Sequence, residues 1–427
     1  MFLRLMSILL YNGSIKLYWL IIKISTPFSP KAKSWIVGRK NVFTTLQEHK
    51  SENEFRIWIH VSSLGEFEQG RPIIESLKKN HPNLKIILTF FSPSGFEIRK
   101  NYQQADLITY LPIDTKNNAK KFIELVNPSL AIFIKYDFWF HYFNQLKNKN
   151  IPLILVSALF RTNQIFFKSY GFIFLDLLRI PDHIFVQNEE SKTILEKNKI
   201  HHVSVIPDTR IDRVFQISKT IKIDEIQKAV DFKGESKILI LGSSYETEEN
   251  LIKKMIRNSL NDWKIIITPH DVSPARIQSI CHEFSEHACV LWTENYSKED
   301  ISKARILIVD TIGLLNKLYS LSNIVFIGGG FNKSIHNLLE PASFGNAIMF
   351  GPNGHQKFPE AGELINQDAA VLIKHPDDFE LSLNNLIKEN AYLNYGQNAK
   401  NYINTHTGGS SNVLDYLNKN YLTKFLD

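Results

Sequence analysis

The chain alternates short runs of β-branched and aromatic residues with amphipathic stretches, and it does so twice. The first series of runs covers residues 55–61, 85–91, 130–135, 152–156 and 183–186, with helical patterns at 68–80, 117–127, 138–149 and 189–198 between them. The second covers 237–241, 263–268, 305–309, 323–327 and 347–350, with helical patterns such as 246–257 and 314–322. Strands apolar on both faces, separated by helices, require a parallel sheet with right-handed crossovers. Residues 216–235 are charged, carry no strand signal and read as an interdomain connection. The fold class is therefore α/β, with two doubly wound domains facing a cleft. The expected boundaries are an arm over 1–47, a first domain over 48–215, a linker over 216–235 and a second domain over 236–427. The last stretch, 398–427, is one that can cross back to the first domain. Ligands of such sheets bind outside the carboxyl ends of the strands.

A length of 427 residues accommodates two ordinary domains. The net charge of +7 suggests nucleic acid until its distribution is read. No acidic residue precedes Glu48, whereas Arg4, Lys16, Lys23, Lys31, Lys33, Arg39 and Lys40 all do. The rest of the chain is neutral, so no nucleic-acid partner is expected. A basic arm rich in Leu, Ile, Tyr and Trp suits an anionic membrane surface. Arg4, Asn12 and Lys16 interrupt its apolar run, so the expectation is a helix lying in the interface; a short span is the second choice and packing on the protein's own core the third. Cys281 and Cys289 form no CxxC pair, which fits a reducing compartment and the cytoplasmic face of a membrane.

The residues able to carry chemistry fall at strand-to-helix turns. In Ser63-Leu-Gly-Glu66 a carboxylate opens a helix after a strand. The helix N-terminus favours its charged form, so it is expected to be ionised at neutral pH with an ordinary pKa; simple complementation of the helix dipole explains it equally well. Lys135 and Asp137 end a buried strand and are costly unless paired, with each other for instance, or used. Pro207-Asp-Thr-Arg210-Ile-Asp212 places charges after another strand, where salt bridging across the domain boundary is the plain alternative. The second half offers Gly242-Ser-Ser244, Pro269-His270 and Ile312-Gly313-Leu314, then Gly328-Gly-Gly-Phe331 and Asn337-Leu338-Leu339-Glu340. Three glycines let a backbone approach a ligand closely, Asn337 is placed to cap a helix, and Glu340 in its first turn can accept from a ribose diol. No carboxylate cluster has metal spacing, and no metal or other cofactor is expected.

Taken together, Ser-Leu-Gly-Glu-Phe-Glu-Gln, Phe-Phe-Ser-Pro-Ser-Gly, Asp-Thr-Arg-x-Asp, Gly-Gly-Gly-Phe and His-Asn-x-Leu-Glu-Pro resemble the 3-deoxy-D-manno-octulosonic acid (Kdo) transferases of Gram-negative bacteria. The likeness runs in family order from the arm to about Leu364. It implies an inverting glycosyltransferase of the B type, with two Rossmann-like domains, acting in lipopolysaccharide biosynthesis. The implied donor is CMP-Kdo and the implied acceptor a lipid A precursor, which accounts for a membrane-seeking arm. Glu66 matches the base that takes the acceptor's proton, and Asp137 and Arg210 match positions that stabilise the transition state. Pro269, His270, Ile312, Gly313, Leu314, Asn337, Leu338, Leu339 and Glu340 match the segments that hold CMP. Asp137 stands where the family more often has Glu, Phe140 replaces a common Pro, and Pro207, Asn332 and Ser334 stand where Gly is frequent. The competing readings are another lipid-acceptor transferase of the same fold, such as one forming the lipid A disaccharide, and a non-catalytic membrane-bound nucleotide-binding protein.

Overall fold

The computed structural model describes residues 2–51, 54–135, 137–258, 260 and 262–423. The chain forms two compact units, Met1–Asp212 with Gly408–Asp427, and Arg213–Thr407. The boundary falls inside the helix Thr209–Thr220, ahead of the expected connection at 216–235, which also holds the helix Gln227–Lys233.

Among the described residues each unit holds one seven-stranded parallel sheet. In the first unit these are β1 (Arg56–Val61), β2 (Lys85–Phe90), β3 (Leu107–Tyr110), β4 (Leu130–Ile134), β5 (Leu153–Ala158), β6 (His183–Val186) and β7 (Val203–Val205), in the order β3-β2-β1-β4-β5-β6-β7. In the second they are β8 (Lys237–Ser244), β9 (Trp263–Pro269), β10 (Cys289–Leu291), β11 (Ile306–Ile308), β12 (Ile324–Ile327), β13 (Ala347–Phe350) and β14 (Ala370–Leu372), in the order β10-β11-β9-β8-β12-β13-β14. The first order reverses between β1 and β4 and the second between β8 and β12, with β10 and β11 exchanged at the second sheet's edge. The crevice at such a reversal is where doubly wound sheets bind ligands. Every residue of β1 and β4 is buried, because helices cover both faces of the sheet.

The first unit is completed by the end of the chain. Asp212, which is buried, accepts the N–H of Gly408 and both the N–H and the hydroxyl of Ser410, each at 2.6 Å. The helix Gly409–Leu417 then lays Val413, Leu414 and Leu417 into the core that contains Phe67, Ile74 and Leu77. Those last three belong to the helix Leu64–Asn80.

At the other end, the helix Phe2–Ser25 has no buried residue, yet one side is bonded to the first unit. Tyr11 donates its hydroxyl to Asp114 at 2.5 Å and accepts the Phe140 N–H at 3.3 Å. Asn12 Oδ1 lies 2.7 Å from His141 Nε2. Leu9, Leu10, Leu17, Leu20, Ile21 and Ile24 remain exposed. Burial raises the Asp114 carboxyl to about 6, and the bond from Tyr11 pulls it back. Tyr11→Phe is therefore expected to cost about 1.5–3 kcal/mol, the worth of a hydrogen bond to a charged group, read as a lower unfolding midpoint above pH 6.

Candidate active site

The carboxyl end of β1 leads straight into the helix Leu64–Asn80. Ser63 caps it in an extended conformation and accepts the Glu66 N–H at 3.4 Å. The Glu66 carboxylate folds back and accepts the Ser62 N–H at 2.5 Å. Burial is the largest influence on this carboxyl and raises it; the charge of Asp137 raises it further. The Ser62 and Ser63 bonds and the charge of Lys135 oppose them, leaving the group at about 8. This corrects the expectation of an ordinary, fully ionised carboxylate. The helix N-terminus does stabilise the charge, but loss of water and a neighbouring anion outweigh it.

Asp137 follows β4, the strand beside β1 at the reversal of sheet order. It accepts the Ser62 hydroxyl and lies 2.8 Å from His60 Nε2. His60 is fully buried inside β1. Its Nδ1 lies 2.8 Å from Thr89 Oγ1, which accepts the Trp58 indole N–H at 2.8 Å. Trp139 Nε1 also approaches His60 Nε2, at 3.2 Å. One nitrogen cannot accept from Trp139 and donate to Asp137 together. The carboxylate can only accept and is the nearer partner, so we place the proton on Nε2, with Thr89 donating to Nδ1. Asp137 is thus fixed by His60 and Ser62 and acts on Glu66 through its charge.

Arg210 opens the helix Thr209–Thr220 and forks onto Asp208, with Nε at 3.1 and 3.0 Å from the two oxygens and Nη2 at 2.7 Å. Burial alone would raise Asp208, but the Arg210 charge and bonds, with the Lys135 charge, hold it below the usual range. Lys135, in a left-handed conformation (φ 71°), acts on both Glu66 and Asp208. Glu66, Asp137 and the Asp208–Arg210 pair therefore lie in one electrostatic neighbourhood of the first unit. His60 and Ser62 were not assigned a role from sequence, and Asp208 stood out only as part of the charged run with Arg210; His60 in particular carries no signal there, because inside a buried strand it reads as core.

In the second unit, β9 ends at Pro269 and the His270 N–H bonds the Ser244 carbonyl at 3.0 Å. The His270 ring lies over both Tyr245 and His336, with centroids at 5.0 and 4.8 Å. The Tyr245 and His336 rings are themselves nearly parallel, at 12°. Pro269–His270 thus meets the segment that begins at His336. Asn337 Oδ1 accepts the Leu339 N–H at 2.9 Å, and its Nδ2 donates to Glu340 at 3.0 Å. Leu338 and Leu339 are buried, so only their backbone can reach a ligand. Glu340 sits in the first turn of the helix Leu339–Phe344. At the remaining turn Ile312 is 81% exposed, and Gly313 has φ 91° with open space where a side chain would begin.

The three glycines serve the chain's own packing as well. A Cβ on Gly328 would meet the Ser243 carbonyl at 2.2 Å, and one on Gly330 the Gly351 nitrogen at 2.5 Å. They let the chain approach its own backbone. The N–H of Gly329 is taken by the buried carboxylate of Glu248 at 3.0 Å, which also accepts from Tyr245 at 3.1 Å. An internal carboxyl group thus already takes the Gly329 N–H.

A family model described as 3-deoxy-D-manno-octulosonic-acid transferase (kdotransferase) matches residues 38–213. A 3-deoxy-D-manno-octulosonic acid transferase of Rickettsia felis is 26% identical over 383 residues, 87% of this chain and 79% of that protein. The transferase of the same name from Aquifex aeolicus is 28% identical over 322 residues, 74% of this chain and 80% of its own length. A crystal structure of UDP-GlcNAc 2-epimerase from Neisseria meningitidis shares the fold, with a TM-score of 0.60 at 17% identity, covering 86% of this chain and all of that one.

Proposed function

We propose that this chain, a glycosyltransferase of the Kdo transferase family, moves Kdo from CMP-Kdo to a lipid A precursor, with Glu66 as the general base. The observation that carries the reading is the Glu66 carboxylate at the sheet reversal, oriented by Ser62 and raised to about 8 by burial and Asp137. Such a group exchanges its proton near the pH at which it works, as a general base must.

The acceptor hydroxyl attacks the sugar carbon that bears CMP, from the face opposite the leaving group. As that bond forms, Glu66 takes the hydroxyl proton; as the sugar–phosphate bond breaks, its electron pair leaves with CMP. Asp137 keeps Glu66 proton-hungry and anchors Ser62, so it is a positioning residue. Arg210 is assigned to the growing negative charge, and its pairing with Asp208 presets the direction of the guanidinium. CMP is assigned to Pro269–His270, Ile312–Leu314 and Asn337–Glu340 in the second unit. No step calls on a divalent ion, so turnover is expected to survive a chelator. The arm supports a membrane-resident acceptor. A helix bonded at its middle through Tyr11 and Asn12, with apolar residues outward, suits the cytoplasmic membrane interface better than a span.

The test is CMP release by the purified full chain supplied with CMP-Kdo and a lipid A precursor, followed by mass spectrometry of the product. Folded protein that releases no CMP in the presence of acceptor sinks the reading. The pH dependence gives an independent check. Since the base must be ionised, kcat/KM is expected to rise with pH and level off above about 8. Asp137→Asn removes the neighbouring anion, so the midpoint is expected to move to lower pH while burial keeps it above an ordinary carboxylate. An unmoved midpoint would show that Asp137 does not tune Glu66.

A further inference from the structure

The arm and the turn after β2 enclose a groove that neither the base nor the donor segments use. Its volume is about 340 Å³, within the roughly 300–1,000 Å³ of small-ligand sites. Its walls are Tyr18 and Ile22 from the first helix, Trp35 from the helix Pro30–Val37, and Phe91 with Pro93. The rings of Tyr18, Trp35 and Phe91 lie 5.7–6.1 Å from one another. Arg39 fixes this wall: its guanidinium lies 3.7 Å from the Trp35 ring and donates to the Phe91 and Leu111 carbonyls at 2.6 and 2.9 Å. Lys31 stands exposed at the groove and has no ion-pair partner among the described residues.

We propose that this groove seats one acyl chain of the lipid acceptor, with Lys31 meeting the acceptor's anionic headgroup. The proposal rests on the lipid-acceptor reading above and gives it a place. Three observations carry it. The groove is continuous with an apolar surface turned to solvent, where Ile21, Ile24 and Phe28 are 54%, 63% and 87% exposed. The arm's side of the groove carries only basic charge, since no acidic residue precedes Glu48. The wall is also wired to the base: the N–H of Ser92, a lining residue, bonds the Ser62 carbonyl at 2.7 Å, and the Ser62 N–H holds Glu66. Phe91 packs on Trp139 at 4.6 Å, which in turn reaches His60. An acyl chain held here presents its headgroup beside the catalytic carboxylate, and apolar contact supplies the hold while Lys31 sets the polarity.

Ala32 lines the groove, and Ala32→Phe fills it. The full chain is used in a Trp19→Phe background, so that Trp35 dominates the signal from the arm. The probe is a lysophosphatidate with a dibrominated acyl chain, kept below its micelle concentration. The parent is expected to show saturable quenching, weakened about tenfold by Ala32→Phe, with KM for the acylated acceptor raised about tenfold. The thermal unfolding midpoint of the full chain serves as the fold control; if Ala32→Phe fails it, Ile22→Ser is expected to weaken quenching in the same way. Unchanged quenching and KM overturn the proposal. Loss of binding to phosphatidylglycerol vesicles without a change in KM also overturns it, because the groove then serves bulk lipid. Should wild-type chain quench normally yet transfer no Kdo, the activity has failed and the lipid seat has not.

Discussion

Glu66→Gln is expected to lower turnover by about 10²–10⁴-fold, the usual worth of a positioned general base. Gln keeps the size of the side chain and still offers an oxygen to the Ser62 N–H, so the turn between β1 and its helix persists. What it loses is the capacity to take a proton. CMP should bind as before, since the residues assigned to it lie in the other unit. Stability gives a second readout of opposite sign. Folding raises this carboxyl to about 8, so the native chain keeps a proton that the unfolded chain releases. Stability therefore falls as pH climbs from the ordinary carboxylate range towards 8. Gln removes that slope, and the variant should gain stability relative to wild type as pH rises. Near-normal turnover in Glu66→Gln would refute the base assignment outright.

The second large effect is on the fold. Asp212→Ala strips the acceptor from three donors, the N–H groups of Gly408 and Ser410 and the Ser410 hydroxyl. All three bonds are to a buried carboxylate, and leaving such donors unmet costs about 3 kcal/mol or more. The helix Gly409–Leu417 is expected to come away first, exposing Val413 and Leu417. Denaturant unfolding should show a lower midpoint, and limited proteolysis should cut near residue 408. Asp212→Asn, which keeps one carbonyl, is expected to recover part of the loss. A wild-type midpoint and cleavage pattern in Asp212→Ala would show that the clasp does not hold the tail.

The interior of both sheets was legible in the sequence, and the edges were not. All ten apolar runs became strands. The four strands without a recognisable run, β3, β7, β10 and β14, are the four edge strands. They are three or four residues long and only partly buried. A strand covered on both faces needs an unbroken apolar run, whereas an edge needs one or two anchoring residues, which no window of sequence isolates. The site divides along the same line. Glu66 and Asp137 stand out because charge at the end of a buried strand needs a reason, and Arg210 because it falls in a dense charged run. The partners of Asp137 do not, since it meets His60 and Ser62 through tertiary placement alone, whereas Arg210 meets Asp208 two residues away in the same run. The glycines at 328–330 show the remaining ambiguity, because close approach to a ligand and close approach to one's own backbone require the same residue.

The returning tail has a consequence for the order of events during translation. The unit that carries Glu66 is begun first, with its arm and sheet, but its core includes residues synthesised only after the whole of Arg213–Thr407. Domains made early in a chain usually fold as they emerge. Here the helix bearing Glu66 waits for Val413 and Leu417 to reach it. A ribosome stalled within the second unit would leave a product with its arm and first sheet but without Val413, Leu414 and Leu417 in the core around Glu66's helix.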